Sequence, residues 1–121
     1  MTAGVRPWPL RLTAAAEADF QGILRWTLEQ FGKAQAHAYA ETMSSALESL
    51  TAGPRVVGAK ARNDIGNGIF ALHVARRGRK GRHFIVFRVG HDKDRDVIEV
   101  LRLLHDAMDL ARHLPPTEEP K

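Results

Sequence analysis

Five cations fall within seven residues at Arg76-Arg77-Gly78-Arg79-Lys80-Gly81-Arg82. Such a cluster suits phosphate recognition, because each lysine or arginine brought to nucleic acid releases condensed counterions and strengthens binding at low salt. The glycines make the run a turn, so it reads either as a phosphate-binding finger or as a solvated hairpin tip that serves solubility. Arg88 and Arg102 differ, since each stands inside an apolar stretch, Phe87-Arg88-Val89 and Leu101-Arg102-Leu103. A guanidinium so placed either reaches a carboxylate on another molecule or pairs within the chain, for example with Glu99. Six histidines raise the question of a metal. His105, Asp109 and His113 share one face of a helix, but the rise per residue puts the outer pair roughly 12 Å apart, too wide for one ion. Asp92, Asp94 and Asp96 alternate like the start of a calcium loop, yet no bidentate glutamate follows in place, so a charged turn is the better reading. The lack of cysteine removes disulfides, thiol catalysis and thiolate zinc. No metal or cofactor is expected.

These groups must be held by one small domain, because 121 residues leave no room for a second core. With 44% hydrophobic and 26% charged residues, the chain can bury a core and is neither disordered nor membrane-embedded. It has no run of about 18 apolar residues, and Arg6, Pro7, Pro9 and Arg11 interrupt any leader-like stretch, so a cytoplasmic protein is expected. A formal charge of +4 draws it toward nucleic acid or acidic proteins. The first half, with Glu17, Asp19, Glu29, Glu41 and Glu48, is the more acidic.

Leu10–Leu12 reads as a brief strand closed by Thr13, whose hydroxyl is placed to cap a helix that has Glu17 and Asp19 near its start. Phe20, Ile23, Leu24, Thr27, Leu28 and Phe31 recur every three or four residues and put an apolar stripe on that helix, which Gly32 ends. Tyr39, Met43, Leu47 and Leu50 mark a second helix from Lys33 to Leu50. So tight a connection folds the pair into an antiparallel hairpin. Gly53-Pro54 stops it, and Arg55 to Gly68 reads as a loop. Three strands follow, Ile69–Ala75, His83–Val89 and Val97–Leu104, with the cationic run as the first turn and Gly90 with Asp92-Lys93-Asp94 as the second. Phe84-Ile85-Val86-Phe87 is apolar throughout, as in a central strand covered on both faces or covered by a partner. Asp106 to His113 has the length of one or two helical turns before Pro115-Pro116. Trp8 either anchors the N-terminal tail or lies free. Trp26 sits off the main stripe and either packs at the core edge or lies under a partner segment.

The order of elements is similar to that of the ParE/RelE toxins, and two segments sharpen the likeness. Leu12-Thr13-Ala14-Ala15-Ala16-Glu17-Ala18-Asp19-Phe20 through Phe31-Gly32 resembles the family's opening. Val100-Leu101-Arg102-Leu103-Leu104-His105-Asp106-Ala107-Met108-Asp109 with His113-Leu114 resembles its strand-to-tail signature, and Phe87-Arg88-Val89 its Phe/Tyr-Arg-Val strand. The resemblance covers roughly residues 10 to 114. It implies an α+β fold with an N-terminal strand, an antiparallel helical hairpin packed on a small antiparallel sheet, and a short C-terminal helix. Residues 1–9 and 115–121 are then tails. The family's first β-hairpin usually turns tightly, whereas Arg76 to Arg82 is longer and far more cationic.

Two functions come with the resemblance. RelE-type toxins cut ribosome-bound mRNA without a metal, using clustered cations and a tail tyrosine or histidine. Lys60, Arg62, Arg76, Arg82, Arg88 and His105 supply the types, but the only tyrosine, Tyr39, falls inside the second helix. ParE-type toxins inhibit DNA gyrase by binding, with no catalytic residue of their own, and this is the reading preferred. It implies a ParD-like antitoxin in a hetero-oligomeric complex, and gyrase, with or without DNA, as target. The residues expected to meet the target are Arg76, Arg77, Arg79, Lys80, Arg82, Arg88, Arg102, His105, Met108 and His113. Those expected to meet the antitoxin are Trp26, Phe84, Val86 and Arg88.

Overall fold

The computed structural model describes residues 7–108 and 110. In chain order these form β1 (Leu10–Leu12), α1 (Ala14–Phe31), α2 (Lys33–Ser49), a 3-10 turn (Leu50–Ala52), β2 (Lys60–Ala61), β3 (Phe70–His73), β4 (His83–Asp92) and β5 (Arg95–His105). The two helices pack on one five-stranded sheet of order β1-β5-β4-β3-β2, an α+β fold as expected. β1 runs parallel to β5, and the other neighbours are antiparallel.

Thr13 does two jobs. Its hydroxyl accepts the Ala16 N–H at 3.0 Å, capping α1, and donates to the Leu101 carbonyl at 2.9 Å, fixing the helix start on β5. Gly32, at φ 91, is the whole connection between the helices. Its N–H closes α1 on Leu28 and its carbonyl accepts from Ala36 to open α2. A residue with a side chain rarely adopts that φ. The core lies between hairpin and sheet, where Ala16, Met43 and Leu50 meet Leu72, Ile85, Phe87, Ile98 and Val100. Each large side chain fully buried there contributes roughly 1.5–3 kcal/mol.

Phe84-Ile85-Val86-Phe87 is a central strand covered on both faces. Ile85 and Phe87 face the helices, while Val86 and the half-buried Phe84 pack with Leu104, Leu110, Ile65 and Ile69 on the other side. A register shift at Val86/Phe87 marks a bulge between β4 and β5. Trp8 is anchored: its N–H donates to the Thr51 carbonyl at 2.8 Å and it packs against the core.

Several expectations are corrected. The stretch from Arg55 to Gly68 holds β2 on the sheet edge, too short to show a period in sequence. Gly90 lies within β4 opposite Val97, and the turn is made at Lys93, which takes a positive φ of 59. Leu28 and Phe31, at the end of the apolar stripe, are exposed, because the sheet ends before the helix does. Of the helix expected at Asp106–His113, residues 106–108 form a turn and Leu110 is buried. The rest, with His113 and the C-terminal tail, lies outside the described residues.

Candidate functional site

β1 covers only Ile98–Val100, whereas β5 continues to His105. Past Val100 the start of α1 takes over the open edge. Thr13 satisfies the Leu101 carbonyl, and Asp19 accepts the Leu103 N–H at 2.9 Å. The same carboxylate receives Arg102 through Nε at 2.7 Å and Nη2 at 2.9 Å, a two-pronged pair with side chains only 16% and 26% exposed. This hydrogen bonding raises the guanidinium pKa above its ordinary value. Arg102 therefore pairs with Asp19 rather than with Glu99, which already holds Arg88 at 2.8 Å and Arg11 at 3.3 Å.

Beyond that anchor a groove of about 1020 Å³ opens between the hairpin and the end of the sheet. One wall is apolar: Ile23, Trp26 and Phe31 from α1, with Met108 after β5. Trp26 and Phe31 are 56% and 62% exposed and meet edge to face at 5.7 Å. The other wall carries Lys80, Arg82, His83, Arg102 and His105. Small residues, Ala18, Gly22 and Ala38, also line the groove.

The polar wall is wired into three elements. Tyr39 on α2 accepts the Arg82 N–H at 2.9 Å, and its oxygen lies 2.8 Å from His83 Nδ1. Gly81 permits this, because a Cβ there would overlap the Val74 methyl and sit 2.9 Å from the Tyr39 oxygen. Asp106 is held by His73 Nε2 at 2.9 Å and by Arg82 Nε at 3.2 Å. Those two contacts, His73 first, pull its carboxyl pKa down to about 2. Burial, with help from the neighbouring His105, pushes His83 down to about 4, and burial also raises the Tyr39 hydroxyl.

Two of the histidine tautomers follow from these bonds. His73 Nδ1 accepts the Ala75 N–H and His105 Nδ1 the Ala107 N–H, each at 3.0 Å. Tyr39 accepts the Arg82 N–H, and which of its hydroxyl and His83 Nδ1 is the donor depends on the tautomer of that ring. The neutral rings of His73 and His105 carry hydrogen on Nε2 and donate from it.

The groove thus gathers Trp26, Lys80, Arg82, Arg102, His105 and Met108 from among the expected contact residues. Arg77 and Arg79 are exposed on the adjoining turn. Arg76 is no finger: its Nη1 donates to the Val57 carbonyl at 3.1 Å, and its Nε is buried without a hydrogen-bond partner. Arg88 lies toward the opposite end of the β4–β5 hairpin. Val86 is fully buried and cannot offer a surface, because Leu104 and Leu110 pack on it. The expected nuclease set is dispersed. Lys60 is on β2, three strand spacings or about 14 Å from β5, and Arg62 is tied to Asp64 at 2.8 Å. Sequence reasoning missed Tyr39, His73, His83, Asp106 and Gly22. A β4–β5 hairpin turning at Lys93-Asp94 does place His83 opposite His105, and a glycine in mid-helix was a visible signal.

The chain is thus a helical hairpin laid on a mostly antiparallel sheet, with a groove at the end of β5. It is similar to the chromosomal ParDE TA system from P. aeruginosa, at TM-score 0.63 and 19% identity over 81% of this chain and 95% of that one. It also shares the fold of a YoeB/ParE toxin from Agrobacterium tumefaciens, at TM-score 0.53 and 14% identity over 80% and 96%. A family model described as the ParE toxin of type II toxin-antitoxin system, parDE, matches residues 10–110. The chain belongs to this ParE toxin family. Among its relatives, Toxin ParE of Escherichia coli is 32% identical over 103 residues, 85% of this chain and 89% of that protein. Toxin ParE1 of Mycobacterium tuberculosis (strain ATCC 25618 / H37Rv) is 30% identical over 103 residues, 85% and 94%. No described helix is long and apolar enough to cross a membrane.

Proposed function

We propose that this toxin acts in the cytoplasm by binding DNA gyrase, without chemistry of its own, and is silenced by a small acidic ParD-like antitoxin that fills the groove. The observation that carries this reading is the character of the groove. An apolar wall with two exposed aromatic rings faces a wall of guanidinium, ammonium and imidazole donors. Phosphodiester cleavage without a metal needs a base with a free lone pair beside the ribose hydroxyl. Here His73 Nδ1 and His105 Nδ1 accept backbone N–H groups and His83 Nδ1 is engaged by the Tyr39 hydroxyl, so the wall suits oxygen acceptors. Arg77, Arg79 and Lys80, exposed on the turn beside the groove, are the cations best placed to meet gyrase or its DNA, and Trp26 and Met108 are the central antitoxin contacts.

The test uses purified toxin in two assays. Gyrase supercoiling should be inhibited and cleaved DNA should accumulate, with both effects abolished by equimolar antitoxin. Cleavage of mRNA on translating ribosomes with gyrase unaffected overturns the proposal and makes the protein a ribosome-dependent endoribonuclease.

A further inference from the structure

The cationic turn divides into anchors and free charges. Arg76 donates to the Val57 carbonyl at 3.1 Å, and Arg82 pairs with Asp106 while Tyr39 accepts its N–H at 2.9 Å. Between these fixed ends Arg77, Arg79 and Lys80 are exposed, and none of their side chains has a hydrogen bond or ion pair among the described residues. Arg11, Arg62, Arg88 and Arg102, by contrast, each meet a carboxylate. The shortage of acid at the turn begins in the sequence, where no Asp or Glu occurs between Asp64 and Asp92. Asp106, which the fold brings to the turn, is taken by His73 and Arg82.

The backbone holds these charges outward. The Arg79 N–H closes on the Arg76 carbonyl at 3.1 Å, with Arg77 at φ 57 and Gly78 at φ 80. Two central residues at positive φ make a type I′ turn, whose first central position favours asparagine, aspartate or glycine. Arginine sits there at a conformational cost, with no side-chain hydrogen bond or ion pair in the chain to offset it. A Cβ on Gly78 would meet nothing within 4 Å, so the tip stands clear of the domain. The run from Arg76 to Arg82 contains no apolar or aromatic side chain. A protein partner needs such anchors at the centre of its contact, and a single strand needs rings on which its bases stack. A duplex asks only for cations against its regularly spaced phosphates.

We propose that Arg77, Arg79 and Lys80 clamp the phosphate backbone of duplex DNA, so that the toxin binds DNA with no other protein present. The choice of DNA over an RNA duplex rests on the gyrase reading above, and the clamp adds what the turn touches.

The test titrates purified toxin, without gyrase or antitoxin, into a short labelled DNA duplex and the RNA duplex of the same sequence over a series of salt concentrations. The logarithm of DNA affinity should fall against that of salt with a slope of about −2.7, roughly 0.9 for each of three phosphates. Replacing Arg77, Arg79 and Lys80 together by alanine should remove that slope and weaken binding at low salt by about tenfold or more. Replacing Arg25, Lys33 and Arg55, exposed elsewhere, removes the same charge and should leave affinity within about threefold of wild type. Circular dichroism verifies the fold of each variant. If the first triple does not fold, Arg77→Gly decides, because glycine suits φ 57 and should fold while lowering the slope by about one. Equal losses from the two triples overturn the clamp and leave only net charge. DNA affinity unchanged in the folded triple, or in Arg77→Gly where that variant decides, overturns it as well. Tighter binding to the RNA duplex overturns the choice of DNA. The gyrase reading fails separately: a toxin that binds DNA through the turn yet leaves supercoiling untouched loses that reading and keeps the clamp. Inhibited supercoiling with no DNA binding by the toxin alone does the reverse.

Discussion

The two ends of the β4–β5 hairpin use the same residue types to different effect. Near the tip, Arg88, Arg11 and Glu99 form a chain of ion pairs, and His91 meets Asp96 at 2.8 Å. All of these join neighbouring strands that the backbone ladder already holds. At the groove end, Asp19 ties α1 to β5, Tyr39 ties α2 to the cationic turn, and Asp106 ties β3 and that turn to the end of β5. There the side-chain contacts tie both helices and the cationic turn to the sheet, alongside the bond from the Asp106 N–H to the Arg82 carbonyl at 2.8 Å. An ion pair matters according to its exposure and to whether its partners are otherwise held together. The groove end is therefore a prebuilt wall, which reduces what a partner must order on binding.

The largest effect should come from Gly81→Ala. Its new Cβ overlaps the Val74 methyl and crowds the Tyr39 oxygen, so a loss of about 3 kcal/mol by denaturant unfolding is expected. Gly90→Ala is the counterpart nearer the tip, where the nearest atoms, at 3.4 Å, are ends of the flexible Arg11 and Glu99 side chains. It should cost less than about 1 kcal/mol. Equal losses at the two glycines would erase the contrast. Next is Asp19→Asn, which keeps an acceptor for Leu103 but weakens the fork with Arg102. About 2 kcal/mol should be lost, together with antitoxin affinity, as measured by unfolding and titration.

Acid should also weaken the groove end. His83 is held near 4 in the fold against an ordinary value of 6.5, so only the unfolded chain takes up this proton between those limits. Stability from His83 is thus fully present above pH 6.5 and declines as pH falls toward 4. Asp106, held near 2, adds a second decline below its ordinary 3.8. In melting curves across pH, His83→Gln should remove the upper decline and leave the lower one. A His83→Gln profile parallel to wild type between pH 6.5 and 4 would show that this half-buried ring is not the cause.

Local order was legible in the sequence, and convergence was not. The cap at Thr13, the break at Gly32, the helical hairpin and the three long strands follow from residue types and periods that act over a few positions. β2 escaped because two residues cannot display alternation. Arg102 with Asp19 and Tyr39 with His83 are separated by 83 and 44 residues, and no local pattern pairs them. The cationic run was visible as a cluster, but its members diverge in the fold. Arg76 turns back to Val57, Arg82, though 68% exposed, turns to Asp106, and Arg77, Arg79 and Lys80 stay exposed between them. The apolar stripe on α1 was read to Phe31, yet the place where the sheet stops beneath it is set by β4 and β5.

The smallest effect, and the sharpest check on the comparison, is Arg88→Ala. Arg88 is 44% exposed, so solvent screens its pair with Glu99 despite the 2.8 Å contact. Arg11 remains on the other carboxylate oxygen at 3.3 Å, and Glu99 keeps a cation. The single change should therefore alter stability by less than about 0.5 kcal/mol and leave antitoxin binding untouched. Removing Arg11 as well leaves a carboxylate only 16% exposed without its two ion-pair partners, and about 1 kcal/mol should then be lost. A single Arg88→Ala loss as large as that of Asp19→Asn would mean that exposure and redundancy do not set the weight of these pairs. The tip would then rank with the groove end as a structural anchor.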